Sequence, residues 1–65
     1  MKEIDVRGLA CPEPILLTKE ALKKESSVKV ICEPHQKANI EGVATLQGKT
    51  ATATKVGNDY EVVIE

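Results

Sequence analysis

The sequence predicts an α/β two-layer sandwich of order βαβαββ, with a mixed four-stranded sheet and two helices on one of its faces. Three observations carry that expectation. Apolar and charged residues alternate in Lys-Glu-Ile-Asp-Val at 2–6 and again in the last run, Tyr60 to Glu65. Two intervening segments place apolar residues at helical spacing, and Gly57-Asn58-Asp59 separates the last two alternating runs.

The elements follow in order. In residues 2–6, Ile4 and Val6 alternate with charges, the period-two pattern of a strand with one buried face, and Arg7 and Gly8 break it. From Pro12 to about Glu25, about 100° per residue gathers Pro14, Ile15, Leu17, Thr18, Ala21 and Leu22 on one side. Leu16, Lys19 and Lys23 fall on the other side. Residues 26–32, Ser-Ser-Val-Lys-Val-Ile-Cys, read as a second short strand. A strand, helix and strand at this spacing favour a right-handed parallel crossover.

A weaker helix is expected over about 36–47, with Ile40, Val43 and Ala44 on one face. Gly42 in its interior costs about 1 kcal/mol relative to Ala, and Gly48 closes it. Residues 50–56 and 60–65 flank the Gly57-Asn58-Asp59 turn cluster, a β-hairpin signal. Packing both helical stripes on one sheet face buries them in two layers. The other face is expected to be solvated, which suits Lys29, Lys55, Glu61 and the threonines. A single domain is expected over residues 1–65.

Composition narrows the function. A chain of 65 residues buries only roughly 60% of the surface its unfolded state exposes, so its stability margin is thin. With no Trp or Phe and one tyrosine, Tyr60, the core is built from Leu, Ile, Val and Ala, and nothing stacks nucleic-acid bases. Nine Lys plus Arg against ten Asp plus Glu give a formal net charge of -1, without a basic footprint for nucleic acid. No apolar run is long enough to cross a bilayer, and Met-Lys-Glu-Ile-Asp-Val-Arg lacks the apolar core of a signal peptide. The chain is therefore expected in the cytoplasm, without nucleic-acid or membrane partners, and as a monomer when free.

Two cysteines, Cys11 and Cys32, are too few for a disulfide scaffold, and free thiols are the default in a reducing cytoplasm. Cys11 is expected at or beside a helix N-cap, with Pro12 in the first helical position. Pro14 removes one further donor from the first turn. The remaining N–H groups and the positive end of the helix dipole favour a thiolate, which Glu13 opposes in part. Gly8 and Ala10 leave the approach to the sulfur uncluttered. A buried, inert cysteine is the bland alternative. For a cysteine hydrolase the only imidazole is His35, with no group positioned to orient it, and a thioredoxin-type Cys-x-x-Cys is absent. A sulfur carrier needs only the thiol, an exposed perch and a docking surface.

At Asp5-Val6-Arg7-Gly8-Leu9-Ala10-Cys11-Pro12-Glu13-Pro14-Ile15-Leu16-Leu17 the sequence resembles the TusA/SirA-like family of small sulfur-carrier proteins, marked by Cys-Pro-x-Pro at the start of the first helix. Within that family, residues 39–48 are similar to the second helix of the YedF-type branch, associated with selenium metabolism. The resemblance implies a βαβαββ sandwich. It also implies that Cys11 accepts a persulfide sulfur from a donor such as a cysteine desulfurase or rhodanese, and relays it to an acceptor protein, for example toward tRNA thiolation. No metal or organic cofactor is implied, only a transient covalent persulfide. Gly8, Pro12, Glu13 and Pro14 then shape the helix start. Leu16, Lys19 and Lys23 are candidates for partner docking.

Arg7 is an auxiliary candidate, either paired with a carboxylate or lying near the sulfur to favour its anion. Cys32 stands where family members often carry an acidic residue. It either resolves a persulfide or forms a disulfide with Cys11, or it ends a strand as a small apolar residue. The rival class is a non-catalytic regulatory, selenium-related or metal-binding module. In its metal-binding form, Cys32, His35 and Cys11 would supply three ligands and leave a position open.

Overall fold

Alternation in Val28-Lys29-Val30-Ile31-Cys32 produces a strand whose Val28, Val30 and Cys32 are all buried on one face. The rest of the molecule is arranged around it. The computed structural model describes residues 1–65. Its elements are β1 (Lys2–Asp5), α1 (Glu13–Lys24), β2 (Val28–Cys32), a 3₁₀ turn (Pro34–Gln36), α2 (Lys37–Leu46), β3 (Ala51–Val56) and β4 (Asp59–Ile64). The sheet order is β1-β2-β4-β3. β1 and β2 are parallel, and the other two pairings are antiparallel. The α/β architecture with a mixed four-stranded sheet is the expected one.

The core is aliphatic, as the lack of large aromatic residues requires. Val6, Val28, Val30, Ile40, Ala44, Val62 and Ile64 are fully buried, with Val43, Ala21 and Leu22 nearly so. Thr18 is buried among them because its hydroxyl donates to the Pro14 carbonyl at 2.8 Å, one turn earlier.

Several boundaries differ from the sequence reading, each for a local reason. β1 stops at Asp5, yet Val6 remains buried and its N–H still donates to the Ile31 carbonyl at 2.9 Å. β2 begins at Val28, after the two serines. Pro12, expected as the first helical residue, is the N-cap instead, with φ −99° and ψ 15°, and Pro14 lies in the first turn. Leu17, assigned to the buried stripe, is 40% exposed. One sheet face and one neighbouring helix need only the narrow stripe of Pro14, Thr18, Ala21 and Leu22. Lys55 falls by alternation on the face of Ala51 and Ala53, where it stays exposed, instead of joining Thr52 and Thr54.

α2 is preceded by the 3₁₀ turn and ends in a Schellman motif. Gly48, at φ +70°, donates to the Thr45 carbonyl at 3.0 Å, and Lys49 donates to the Ala44 carbonyl at 2.9 Å. The hairpin turns through Gly57 and Asn58, because Val56 already pairs with Asp59. Gly57 takes φ +63° while Asn58 does not enter positive φ, the sign pattern of a type II′ turn.

Gly42 weakens α2 for no steric reason, since a Cβ built there meets nothing within 4 Å and its φ is not positive. Gly42→Ala is expected to stabilise the fold by about 0.5–1 kcal/mol. Urea unfolding should show a higher midpoint at unchanged slope, and an unchanged or lower midpoint would contradict this reading of α2.

Candidate functional site

The parallel β1–β2 pair brings the loop after β1 and the turn after β2 to the same edge of the sheet. The first loop carries Cys11, and the second carries Glu33-Pro34-His35-Gln36. Gly8 makes the first loop possible: at φ +80° it occupies a backbone region that L side chains rarely adopt. Its N–H donates to Glu33 Oε2 at 2.8 Å. Leu9 N–H donates to the Val6 carbonyl at 3.2 Å, closing a tight turn ahead of the cysteine.

Gln36 fastens the two loops together. Its side chain is almost wholly buried, and its Nε2 donates to the carbonyls of Val6 at 2.8 Å and Leu9 at 3.1 Å. Its Oε1 accepts the Glu33 N–H at 2.8 Å, half of a capping box at the 3₁₀ turn. Both amide hydrogens and the oxygen of this buried carboxamide are thus engaged, with two of the three bonds going to the loop that carries Cys11.

Cys11 is exposed, one residue before the Pro12 N-cap, and the peptide joining them is cis. The first turn of α1 offers the sulfur fewer donors than the sequence suggested. Pro12 and Pro14 have none, Glu13 N–H donates to the Ala10 carbonyl at 2.9 Å, and Leu16 N–H donates to the Pro12 carbonyl at 3.0 Å. Only the Ile15 N–H is left without a backbone partner. Glu13 is solvent-exposed in that first turn, where a negative charge complements the helix dipole. Beside the cysteine lies a cleft of about 80 Å³ between the loop and the second connection.

Cys32 is placed very differently. It is fully buried in the core at the end of β2 and is not among the cleft-lining residues. Burial pushes its thiol pKa up, with the carboxylates of Glu41 and Asp59 adding to the shift and Lys37 opposing it. Both cysteines are free thiols. The carboxylate at the end of β2 is that of the next residue, Glu33, engaged with Gly8. No three His, Cys, Asp or Glu side chains converge as ligands for a metal ion.

Arg7 takes the carboxylate-paired alternative. Its Nη2 lies 2.7 Å from Asp5 Oδ2, its Nε donates to Asp5 Oδ1 at 3.0 Å, and its Nη1 donates to Asp59 Oδ2 at 3.1 Å. The guanidinium therefore ties the end of β1 to the start of β4 and does not line the Cys11 cleft. Along α1, Leu16 is 53% exposed, Lys23 is exposed and Lys19 is half-buried. Sequence reading missed Glu33, Gln36, Asn39 and Asp59. The Glu33…Gln36 spacing around Pro34 did signal a helix start, but partners some 27–30 positions upstream leave no local trace.

The Arg7 hydrogen bonds hold the Asp5 carboxyl down at about 2, against an ordinary 3.8. A depressed folded-state pKa gives stability that is fully present above 3.8 and lost as pH falls through about 2. Wild-type stability is therefore expected to fall more steeply than that of Asp5→Asn between about pH 4 and pH 2. Because the pair is exposed, salt should reduce the difference. Parallel acid limbs in urea titrations at low salt would contradict the pairing.

Comparison with known proteins agrees with this fold. The family model described as sulfurtransferase TusA matches residues 2–65. The crystal structure of a SirA-like protein from Desulfitobacterium hafniense superposes with a TM-score of 0.87 at 27% sequence identity, covering 98% of this chain and 95% of that one. Among curated proteins none matches the chain. With a family match over nearly its whole length, on the fold of a SirA-like protein, the chain belongs to the TusA family of sulfurtransferases.

Proposed function

We propose that Cys11 is the sulfur-carrying residue, accepting a persulfide sulfur from a donor protein and passing it to an acceptor protein. The observation that carries this reading is the division between the two thiols. Cys11 is exposed at a loop before a helix, whereas Cys32 is sealed in the core with its thiol pKa raised. Exchange at sulfur requires a thiol that a partner can reach, and only Cys11 is exposed.

In the loading step the Cys11 thiolate attacks the outer sulfur of the donor persulfide. A new S–S bond forms on Cys11, the donor S–S bond breaks, and the donor leaves as a thiolate with the electron pair. Unloading repeats the exchange in the opposite sense on the acceptor. Oxidation states balance, so neither an oxidant nor a cofactor takes part. A cysteine desulfurase or rhodanese fits the donor role chemically, and a protein of a tRNA-thiolation or related sulfur pathway fits the acceptor role.

The outer face of α1 suits docking. Leu16 stands exposed on the outer face of α1, with Lys19 and Glu20 one turn on and Lys23 a turn further, giving an apolar anchor beside charged side chains. Gly8, Pro12, Glu13 and Pro14 serve the site by shaping the loop and helix start, and Arg7 serves it by bracing the strand ends.

Intact mass after incubation with a cysteine desulfurase and cysteine tests the carrier role. A reducible gain of one sulfur is expected in the wild type and in Cys32→Ser, and no gain in Cys11→Ser. A gain that survives in Cys11→Ser would overturn the assignment. For docking, Leu16→Asp should slow enzymatic loading by about tenfold, the effect of losing one apolar anchor, without changing the alkylation rate of Cys11 by a small reagent. Equal loading rates would remove Leu16 from the interface.

A further inference from the structure

The cleft beside Cys11 holds about 80 Å³. Pockets that take metabolites run to about 300–1,000 Å³, and a water occupies about 30 Å³. The space is therefore far too small for a small-molecule substrate, but it admits one atom the size of sulfur added to Cys11. Leu9, Pro14 and Ile15 form its apolar wall, and its polar residues come from the 3₁₀ turn and the first turn of α2.

Those polar residues are not equivalent. Gln36 has spent both amide hydrogens and its oxygen on Val6, Leu9 and Glu33. His35 and Asn39 also line the cleft, and neither makes a side-chain hydrogen bond within the protein. Each offers an N–H donor, Asn39 through its carboxamide and His35 through its ring. A persulfide outer sulfur is anionic when deprotonated and accepts such bonds.

We infer that the cleft is the seat of the persulfide, in which the outer sulfur on Cys11 lies against the apolar wall and accepts hydrogen bonds from Asn39 and His35. The inference rests on the reading of Cys11 as the sulfur carrier and adds the residues that hold its cargo. The seat shelters the carried sulfur between partners.

Chemical loading tests the seat without a donor enzyme. An aromatic disulfide reagent exchanges onto Cys11, and hydrosulfide then displaces the aromatic thiolate, leaving Cys11 with one added sulfur. In the ¹⁵N-labelled protein, loading is expected to shift the side-chain amide pair of Asn39 and the His35 ring, while the Asn58 amide pair in the hairpin turn stays in place. Neutral iodoacetamide then measures access: the outer sulfur attacks its methylene carbon and iodide leaves. The His35→Ala/Asn39→Ala double variant, both sites being exposed, should be alkylated about tenfold faster than the wild type, the scale of one hydrogen bond to a charged acceptor. An Asn39 pair that moves no more than that of Asn58, or equal alkylation rates, would overturn the seat. Failure of a desulfurase to load Cys11 would instead sink the carrier reading and leave this result standing.

Discussion

The site depends on one buried carboxamide. Gln36 joins the carbonyls of Val6 and Leu9 to the N–H of Glu33, so the loop bearing Cys11 and the turn after β2 form one rigid edge. At roughly 0.05–0.15 kcal/mol per residue, a domain of this size has about 3–10 kcal/mol of stability in total. Orphaning a buried polar backbone group costs about 1–3 kcal/mol; of the three groups this side chain serves, the Val6 carbonyl also accepts the Leu9 N–H, while the Leu9 carbonyl and the Glu33 N–H are partly buried. No other polar side chain in the core reaches across as much sequence. Thr18, the other buried polar residue, bonds only within its own helix.

Around that clamp the remaining contacts divide the labour. The Gly8 N–H is held by Glu33, Arg7 by Asp5 and Asp59, and the thiol itself is left uncommitted at the surface. The charged contacts are exposed, so each contributes modestly to stability. Their use is positional, since they fix the strand ends from which the loop departs. On the proposed reading, a chain with an aliphatic core carries sulfur with one thiol and its immediate surroundings.

Much of this was legible in the sequence, where local pattern and tertiary outcome agree. The two alternating terminal runs, the Ile40/Val43/Ala44 face, the Gly48 stop and the Gly57 turn all became the elements they signalled. The Cys-Pro-x-Pro motif at a strand–helix junction pointed to the family over nearly the whole chain. The errors lie where a local rule met a tertiary contact. Pro12 reads as a first helical residue yet serves as the cap, and Leu17 reads as buried although the layer beneath needs a narrower stripe. Gln36 stood at the expected start of the second helix, in a polar stretch with nothing local to mark it as buried. Its role came from two carbonyls on a distant turn, and long-range backbone partners leave no periodic trace.

Amide hydrogen exchange tests the clamp most directly. The Leu9 N–H, bonded to Val6 within the loop, is the reporter, and the amides of β2 and β4 are the reference for global opening. Gln36→Met keeps the length of the side chain and deletes its hydrogen bonds. If Gln36 holds the Cys11 loop, Leu9 in this variant exchanges at least about tenfold faster relative to the strand amides than in the wild type. Leu9 protection that falls only in step with the strands would contradict the clamp and leave the Cys11 loop rigid for some other reason.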